Sequence, residues 1–314
     1  MIYDCFTFYN ELDLLEIRLN TLNDYVDKFV LVEADRNQHN KPKELCYEIN
    51  KSRYEKFKDK IIHVVVDDYP EKIQTWTIEN HQRNCIERGL ANCKDDDIII
   101  ISDLDEIPNP EILVKYLNTP GIAAFDMFLF KFYLNNFLYS NNWKHGSKML
   151  SYKDFKNILD NDDFNSCNFD TRALIPELNE GTTASKIRLY YGKKQIHIKD
   201  SGWHFTWVGN KDFITNKMQA VCESDFYEGK SVEEIIKGLG RELYIPVVVD
   251  GSFPEYIRQN QDKYADMLLP DASRTISQLA FIHKITRPLK ILKIIAWFIP
   301  VKKIRRNIYR ILGI

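Results

Sequence analysis

The sequence predicts an α/β domain built on a buried, largely parallel sheet. In the first hundred residues the apolar runs IYDCFTFY, KFVLVEA, KIIHVVVDD and DIIIISD alternate with segments whose apolar residues recur every three to four positions. The runs show little polar alternation, which is the pattern of strands covered on both faces. Helices between successive strands imply right-handed crossovers and a parallel order.

In chain order, residues 2–9 form a first strand, ELDLLEIRLNTLNDY (11–25) a helix, and 28–34 a second strand. A polar loop, DRNQHNKPKE, and a short helical piece around 51–58 lead to a third strand at 60–68. IENHQRNCIERGLANC (78–93) is an amphipathic helix, and 97–103 is the fourth strand. Pro108 and Pro110 stop that strand and start a helix at 111–118. IAAFDMFLFKFYLNNFLYSNNW (122–143) reads as two long aromatic-rich antiparallel strands, while 151–195 is less regular. QIHIKD (195–200) is another strand, followed by the aromatic SGWHFTWVG (201–209) and a helix from about 211 to 223.

A chain of 314 residues, 44% hydrophobic and 28% charged, can bury a core without disulfide help. Its six cysteines form no CxxC pair and read as reduced, packed thiols. A net charge of −2 makes no case for nucleic acid, and none is expected as a partner. The charge is uneven, however: ten cations and no acid follow Asp271. Residues 278–314 place apolar residues at helical spacing among those cations, divided by Pro288 and Pro300. This pattern predicts C-terminal basic amphipathic helices lying on an anionic membrane surface. The first residues enter an apolar strand with no basic leader, and no segment offers about 18 uncharged apolar residues. The expected location is the cytoplasm, peripheral at the inner face of a membrane.

The chemistry concentrates in IIIISDLDEIP. In open α/β sheets ligands bind beyond the carboxyl ends of the strands, and Asp103, Asp105 and Glu106 lie at that edge. Converging carboxylates repel unless a cation lies between them. Hard divalent ions such as Mn²⁺ or Mg²⁺ take oxygen ligands from one or two carboxylates plus substrate phosphates. The other reading is a solvated turn. In GWHFTWVG, His204 stands between Trp203 and Trp207, an imidazole suited to Mn²⁺ beside aromatic faces suited to sugar rings. Asn10 and Glu11 open the first helix, where a nucleotide can be held, although Asn10 also reads as an ordinary N-cap. Glu33 ends the second strand at the same edge. Arg83 either reaches the nucleotide or pairs with Glu79 or Glu87 on its own helix.

The ordered blocks CFTFYNELDLLEIRL, VEADRNQHNKPKEL, Trp76 with ENHQRNCIERGL, DIIIISDLDEIPNP and SGWHFTWVG resemble glycosyltransferase family 17 over roughly residues 1–260. The resemblance implies a GT-A-type, Rossmann-like nucleotide-sugar-binding domain with a mixed central sheet. It also implies inverting transfer from UDP-GlcNAc with a divalent metal. On that basis residues 1–107 are the nucleotide-binding half, 108–260 the acceptor half, and 261–314 the basic tail. Asp105 and Asp103 match the Asp-x-Asp motif, with Asp105 on the metal and Asp103 on the ribose or a metal-bound water. His204 would complete the metal sphere or touch the diphosphate, and Asn10, Glu11, Glu33, Arg83 and Trp203 would form the nucleotide-sugar site. Lacking the anchor and stem of eukaryotic members, the chain is expected to act on a surface-polysaccharide or lipid-linked glycan acceptor.

An inverting reaction needs a carboxylate to take the acceptor's proton. Glu106, Asp200, Glu177 and Glu180 are the candidates, with Glu106 and Asp200 ranked first. Two other functions compete. A nucleotidyltransferase would show a glycine-rich phosphate loop after the first strand, and FTFYNELD has no glycine. A non-catalytic sugar-binding module using Trp203 and Trp207 would not need Asp-x-Asp behind a buried strand.

Overall fold

The computed structural model describes residues 1–69, 75–139, 142–144, 146–157, 183–189, 195–209, 211–220, 234 and 244–281. In chain order its strands are β1 (Ile2–Phe8), β2 (Lys28–Ala34), β3 (Ile61–Val66), β4 (Ile98–Asp103), β5 (Glu106–Pro108), β6 (Ile122–Phe125), β7 (Phe128–Lys131), β8 (Asn136–Leu138), β9 (Lys148–Ser151), β10 (Gln195–Ile198), β11 (Gly202–Thr206) and β12 (Tyr244–Pro246). The α-helices are α1 (Leu12–Leu22), α2 (Cys46–Asn50), α3 (Thr75–Asn84), α4 (Ile86–Gly89), α5 (Pro110–Leu113), α6 (Tyr152–Asn157), α7 (Thr183–Leu189), α8 (Lys211–Ala220) and α9 (Glu255–Gln259).

One sheet runs in the order β10-β6-β9-β4-β1-β2-β3, with β4, β1, β2 and β3 parallel as expected and β9 antiparallel to both of its neighbours. The sheet is therefore mixed. Side chains of β4 alternate between its two faces. Ile100 joins the core that α1 covers with Leu14, Leu15, Ile17 and Leu19, and Ile99 and Ile101 join the core capped by Ile86 of α4 and Ile187 of α7. All three isoleucines are fully buried, which stabilises the strand by roughly 1.5–3 kcal/mol per side chain.

The region after β4 departs from expectation. Residues 122–143 do not form one long hairpin: β6 belongs to the seven-stranded sheet, whereas β7 and β8 belong to a second sheet ordered β12-β8-β7-β11-β5. The switch falls at Asp126, whose amide bonds to Ile198 while its carbonyl accepts from Ser201. The helix expected over 78–93 is two helices meeting at Cys85, and the one expected over 111–118 ends at Leu113 before a 3₁₀ turn. Asn109 caps α5 by accepting from the Glu111 amide, with Pro110 in its first turn. The body continues past Asn260: Tyr264, Met267, Ile276 and Leu279 are buried in the main core. Of the predicted tail, 282–314 lies outside the described residues. Among the described residues Cys5, Cys46, Cys85 and Cys93 are free thiols, and no helix there is long and apolar enough to cross a membrane.

Candidate active site

β4 ends at Asp103, and the chain turns through Leu104 and Asp105 straight into β5, which pairs antiparallel with β11 so that Glu106 faces His204. A buried arginine fastens the turn. Arg18 of α1 donates to the carbonyls of Asp103, Leu104 and Glu106 at 3.0, 3.0 and 2.8 Å, and to Ser102 Oγ at 2.5 Å. Its charge is met by Asp4 of β1 through two bonds of 2.8 and 2.6 Å, and neither side chain is exposed. Gly202 lets β11 pass close to β5, since a Cβ there would sit 2.4 Å from the Ile107 carbonyl oxygen.

Above the turn lies a cavity of about 290 Å³. Its floor is Thr7 and Tyr9 at the end of β1, Arg36 to Gln38 after β2, Glu79, Gln82 and Arg83 of α3, and Asp103 to Asp105. Its roof is Trp143, His204, Thr206, Trp207 and Lys217. The period of two along β11 decides which of its residues take part: His204 and Thr206 face the cavity, whereas Trp203 and Phe205 pack in the core. Trp207 takes φ 59°, a left-handed conformation bulky residues seldom adopt, at a cost of order 1–3 kcal/mol.

The carboxylates at the turn have different environments. Asp103 accepts from Arg83 through one oxygen (2.8 Å) and from Arg188 through the other (3.2 Å). Burial alone would push its carboxyl up, but the two guanidiniums outweigh that and hold it well below the usual range. Asp105 is also lowered: burial is outweighed by His204, 3.5 Å from Oδ1, and Lys217, 3.9 Å from Oδ2. Lys217 continues to Glu11 at 3.1 Å, and these two acids keep its ammonium raised against the effect of burial. Glu106 is fully buried and raised by burial, with Arg188 opposing. One of its oxygens accepts from Trp143 Nε1 (2.5 Å) and Arg188, and the other from the Asp103 amide (3.2 Å).

Several expected roles are revised by this arrangement. Glu106, with its side chain wholly buried and outside the cavity lining, braces the turn and is not placed to meet an acceptor as the base. Asp200 is an exposed turn residue at φ 52°, bonded to Asn142 (2.5 Å) and outside the cavity lining, so it too is off the reaction path. Glu177 and Glu180 lie outside the described residues. Trp203 is 5% exposed and donates Nε1 to the Ser252 carbonyl (2.8 Å), so it is a core residue and not a sugar platform. Glu33 is buried beneath the Tyr47 amide, Lys43 and His63, and does not reach the cavity. Asn10 is not the cap of α1, a position held by Glu11, and it lines a neighbouring cavity instead. Arg83 pairs with Glu79 at 2.7 Å, as one of its readings had it, and also bonds Asp103 across the site. Glu11, Arg83, Asp103, Asp105 and His204 do line the cavity.

Sequence reasoning missed Arg18, Trp143, Arg188 and Lys217. Arg18 carried a signal, since it stands four residues from both Leu14 and Leu22 on the apolar stripe of α1. Arg188 reaches the site because α7 is clamped to α3, Ser185 bonding Asn84 Oδ1 (3.0 Å) and the Asn80 carbonyl (3.2 Å).

The donor set fits a divalent ion at Asp105 and His204. Both line the cavity, and the ring stands 4.8 Å from that of Trp143 with its Nδ1 buried and unpartnered among the described residues, leaving Nε2 toward Asp105. Asp103, with both oxygens on arginines, is less suited, which narrows the expected ligand set. A separate trio, Asp68, His81 and Cys85, has candidate ligand atoms within 4.8 Å. There Arg88 already donates twice to Asp68, and burial pushes the Cys85 thiol up to about 11.

Comparison with known proteins gives the family. Residues 1–237 match the description of glycosyltransferase family 17. The β-1,4-mannosyl-glycoprotein 4-β-N-acetylglucosaminyltransferases of Homo sapiens and Rattus norvegicus are each 23% identical over 300 residues, covering 82% of this chain and 53% of the relative. That of Mus musculus is 22% identical with the same coverage. The chain thus spans about half the length of the curated relatives it matches. Among solved structures, the mannosyltransferase PcManGT from Pyrobaculum calidifontis in complex with GDP-Man and Mn²⁺ superposes with a TM-score of 0.39 at 14% identity, over 76% of this chain and 68% of that one. With the family matched across three-quarters of its length, the chain belongs to glycosyltransferase family 17.

Proposed function

We propose that the protein is a metal-dependent, inverting glycosyltransferase that moves GlcNAc from UDP-GlcNAc to a hydroxyl of a surface-polysaccharide or lipid-linked glycan. The observation that carries this reading is the acidic turn after β4, which lines a cavity together with aromatic and cationic side chains such as Tyr9, Arg83, Trp143, Trp207 and Lys217. Family membership supports transfer of a sugar, and the named activity of the relatives supports GlcNAc.

Asp105 and His204 would hold the ion. When bound it offsets the negative charge that develops on the departing diphosphate. The chain's own cations work toward the same end: Arg83, Arg188 and Lys217 surround the acidic turn and can follow the diphosphate's charge. Tyr9, Arg36 and Gln38 also line the cavity and would take the nucleotide base. The acceptor's proton must pass to a carboxylate that reaches the cavity, as Glu11 and Glu79 do. The basic pattern of 278–314 supports attachment to an anionic membrane surface, which would bring a lipid-linked acceptor to the site.

A donor screen tests the reading. Thermal shift and nucleotide release are followed with UDP-GlcNAc, other UDP-sugars and GDP-mannose, with and without Mn²⁺ or Mg²⁺. UDP-GlcNAc with metal should give the largest response. No response to any UDP-sugar would sink the proposal, and a response confined to GDP-mannose would replace its donor.

A further inference from the structure

A second cavity, of about 180 Å³, opens on the other side of Glu11. It lies between the first turn of α1 and the segment that carries the chain from β11 into α8. Its lining divides into polar side chains, Asn10, Asp13 and Arg53, and apolar ones, Leu14, Phe213 and Met267. A pyranose has the same division, hydroxyls at its rim and a C–H face that packs on an aromatic ring. The volume admits several water molecules, and so a group the size of one ring. Asn10 lines this cavity, and its Oδ1 is a buried polar atom with no hydrogen-bond partner among the described residues, an uncommon state.

Glu11 lines both cavities. Its Oε2 accepts from the Tyr9 and Asn10 amides at 3.3 and 3.1 Å, and its Oε1 faces Lys217. The carboxylate is therefore held by these partners on a residue common to the two spaces.

We infer that the second cavity binds the accepting sugar ring, and that Glu11 takes the proton from its attacking hydroxyl. This rests on the transferase reading above. In the step, the acceptor oxygen forms a bond to the anomeric carbon as its proton passes to Glu11. The bond between that carbon and the diphosphate oxygen breaks, with its electron pair leaving on the nucleoside diphosphate. Glu11 then returns the proton to solvent.

The test uses the full chain with UDP-GlcNAc and Mn²⁺, and simple methyl pyranosides of mannose, glucose, galactose and N-acetylglucosamine as acceptor probes. At least one pyranoside should raise UDP release from the wild-type protein. Glu11→Gln should lower that pyranoside-dependent turnover by about 10²–10⁴ while the donor KM moves by no more than about threefold. Asn10→Ala and Phe213→Leu should each raise the pyranoside KM about tenfold with a smaller change in the donor KM. Thermal melts establish that each variant is folded. Unchanged pyranoside KM values in both cavity variants, or full turnover in Glu11→Gln, would overturn the inference while leaving the transferase intact. Wild-type UDP release that no pyranoside raises also overturns it, since a one-ring site must respond to one ring. Absence of nucleotide release with every donor of the screen above would instead remove the transferase reading itself.

Discussion

The floor and the roof of the cavity are built in different ways. The acidic part of the floor hangs from β1 and β4, two parallel neighbours in the middle of the large sheet, and six hydrogen bonds from Arg18 alone tie its turn to β1. The roof is assembled from single residues on separate segments: Trp143 from a bridge to Met127, His204 from β11 and Lys217 from α8, while Arg188 of α7 bonds Asp103 and Glu106 from outside the lining. The backbone of the turn is thus secured within the buried sheet, while the side chains that line the cavity from floor and roof make contacts that a ligand can exchange. Glu106 belongs to the secured part, and Asp105, Glu11 and Lys217 to the exchangeable part.

The strongest way to break this contrast is to remove the fastening of the floor. Arg18→Met leaves Asp4 charged and without its partner inside the sheet and takes the donor from three carbonyls of the turn. The expected loss is about 3–5 kcal/mol of stability, read from the urea midpoint. Replacing Asp4 by Asn in the same chain should recover part of it, because the uncompensated charge is then gone. A loss no larger than that of an exposed substitution would show that the turn holds itself.

A change confined to the exchangeable part should spare stability and act on turnover. Asp105→Asn keeps the shape of the side chain but removes a charge that faces His204 and Lys217. Turnover with metal is expected to fall roughly 10²–10³-fold, the equivalent of several kcal/mol of transition-state stabilisation. The thermal response to Mn²⁺ should disappear with it. Should the variant keep its Mn²⁺ response, the ion is held elsewhere.

The same division explains what could be read from the chain. β1, β2, β3 and β4 were legible because a strand buried on both faces writes itself as an unbroken apolar run, and the position of Asp103 and Asp105 followed from where Ile98 to Ile101 end. The roof was not, because Trp143, Arg188 and Lys217 meet only through tertiary packing and carry no spacing relative to the acidic motif. Glu106 and Asp200 misled for a related reason. A carboxylate in sequence does not reveal whether its surroundings saturate it, as Arg188 and Trp143 saturate Glu106, or turn it to solvent, as at Asp200. Trp203 could have been separated from His204 by strand period alone, had β11 been recognised as a strand.

Lys148 tests how tightly the structure behind the site is closed. It is fully buried on β9, bonded to Gln195 at 3.1 Å, and burial, with Arg188 adding to it, pushes its ammonium down to about 7. Unfolded, the group titrates near about 10.4. Between about 7 and 10 the unfolded chain therefore holds a proton that the native one has released, so native stability should rise with pH across that window. Below about 7 both states are charged and the penalty is constant. Lys148→Met removes the penalty but leaves Gln195 without its donor, so a net gain of roughly 1–3 kcal/mol at about pH 7 is expected, shrinking toward about pH 10. Parallel stability curves for the two proteins over that range would show that the lysine is solvated.

The smallest effect separates packing from recognition within one strand. Trp203 and His204 are neighbours on β11, yet one contacts Ser252 in the core and the other faces Asp105. Trp203→Phe gives up one hydrogen bond and some buried area, at a cost of about 1 kcal/mol, and should leave the KM values for donor and acceptor within about twofold of wild type. A selective rise in the acceptor KM, with stability untouched, would return Trp203 to the sugar site and mean that β11 twists further than its pairing with Ile107 and Phe128 allows. With that pairing intact, the strand's alternation leaves recognition to the side that carries His204 and Thr206.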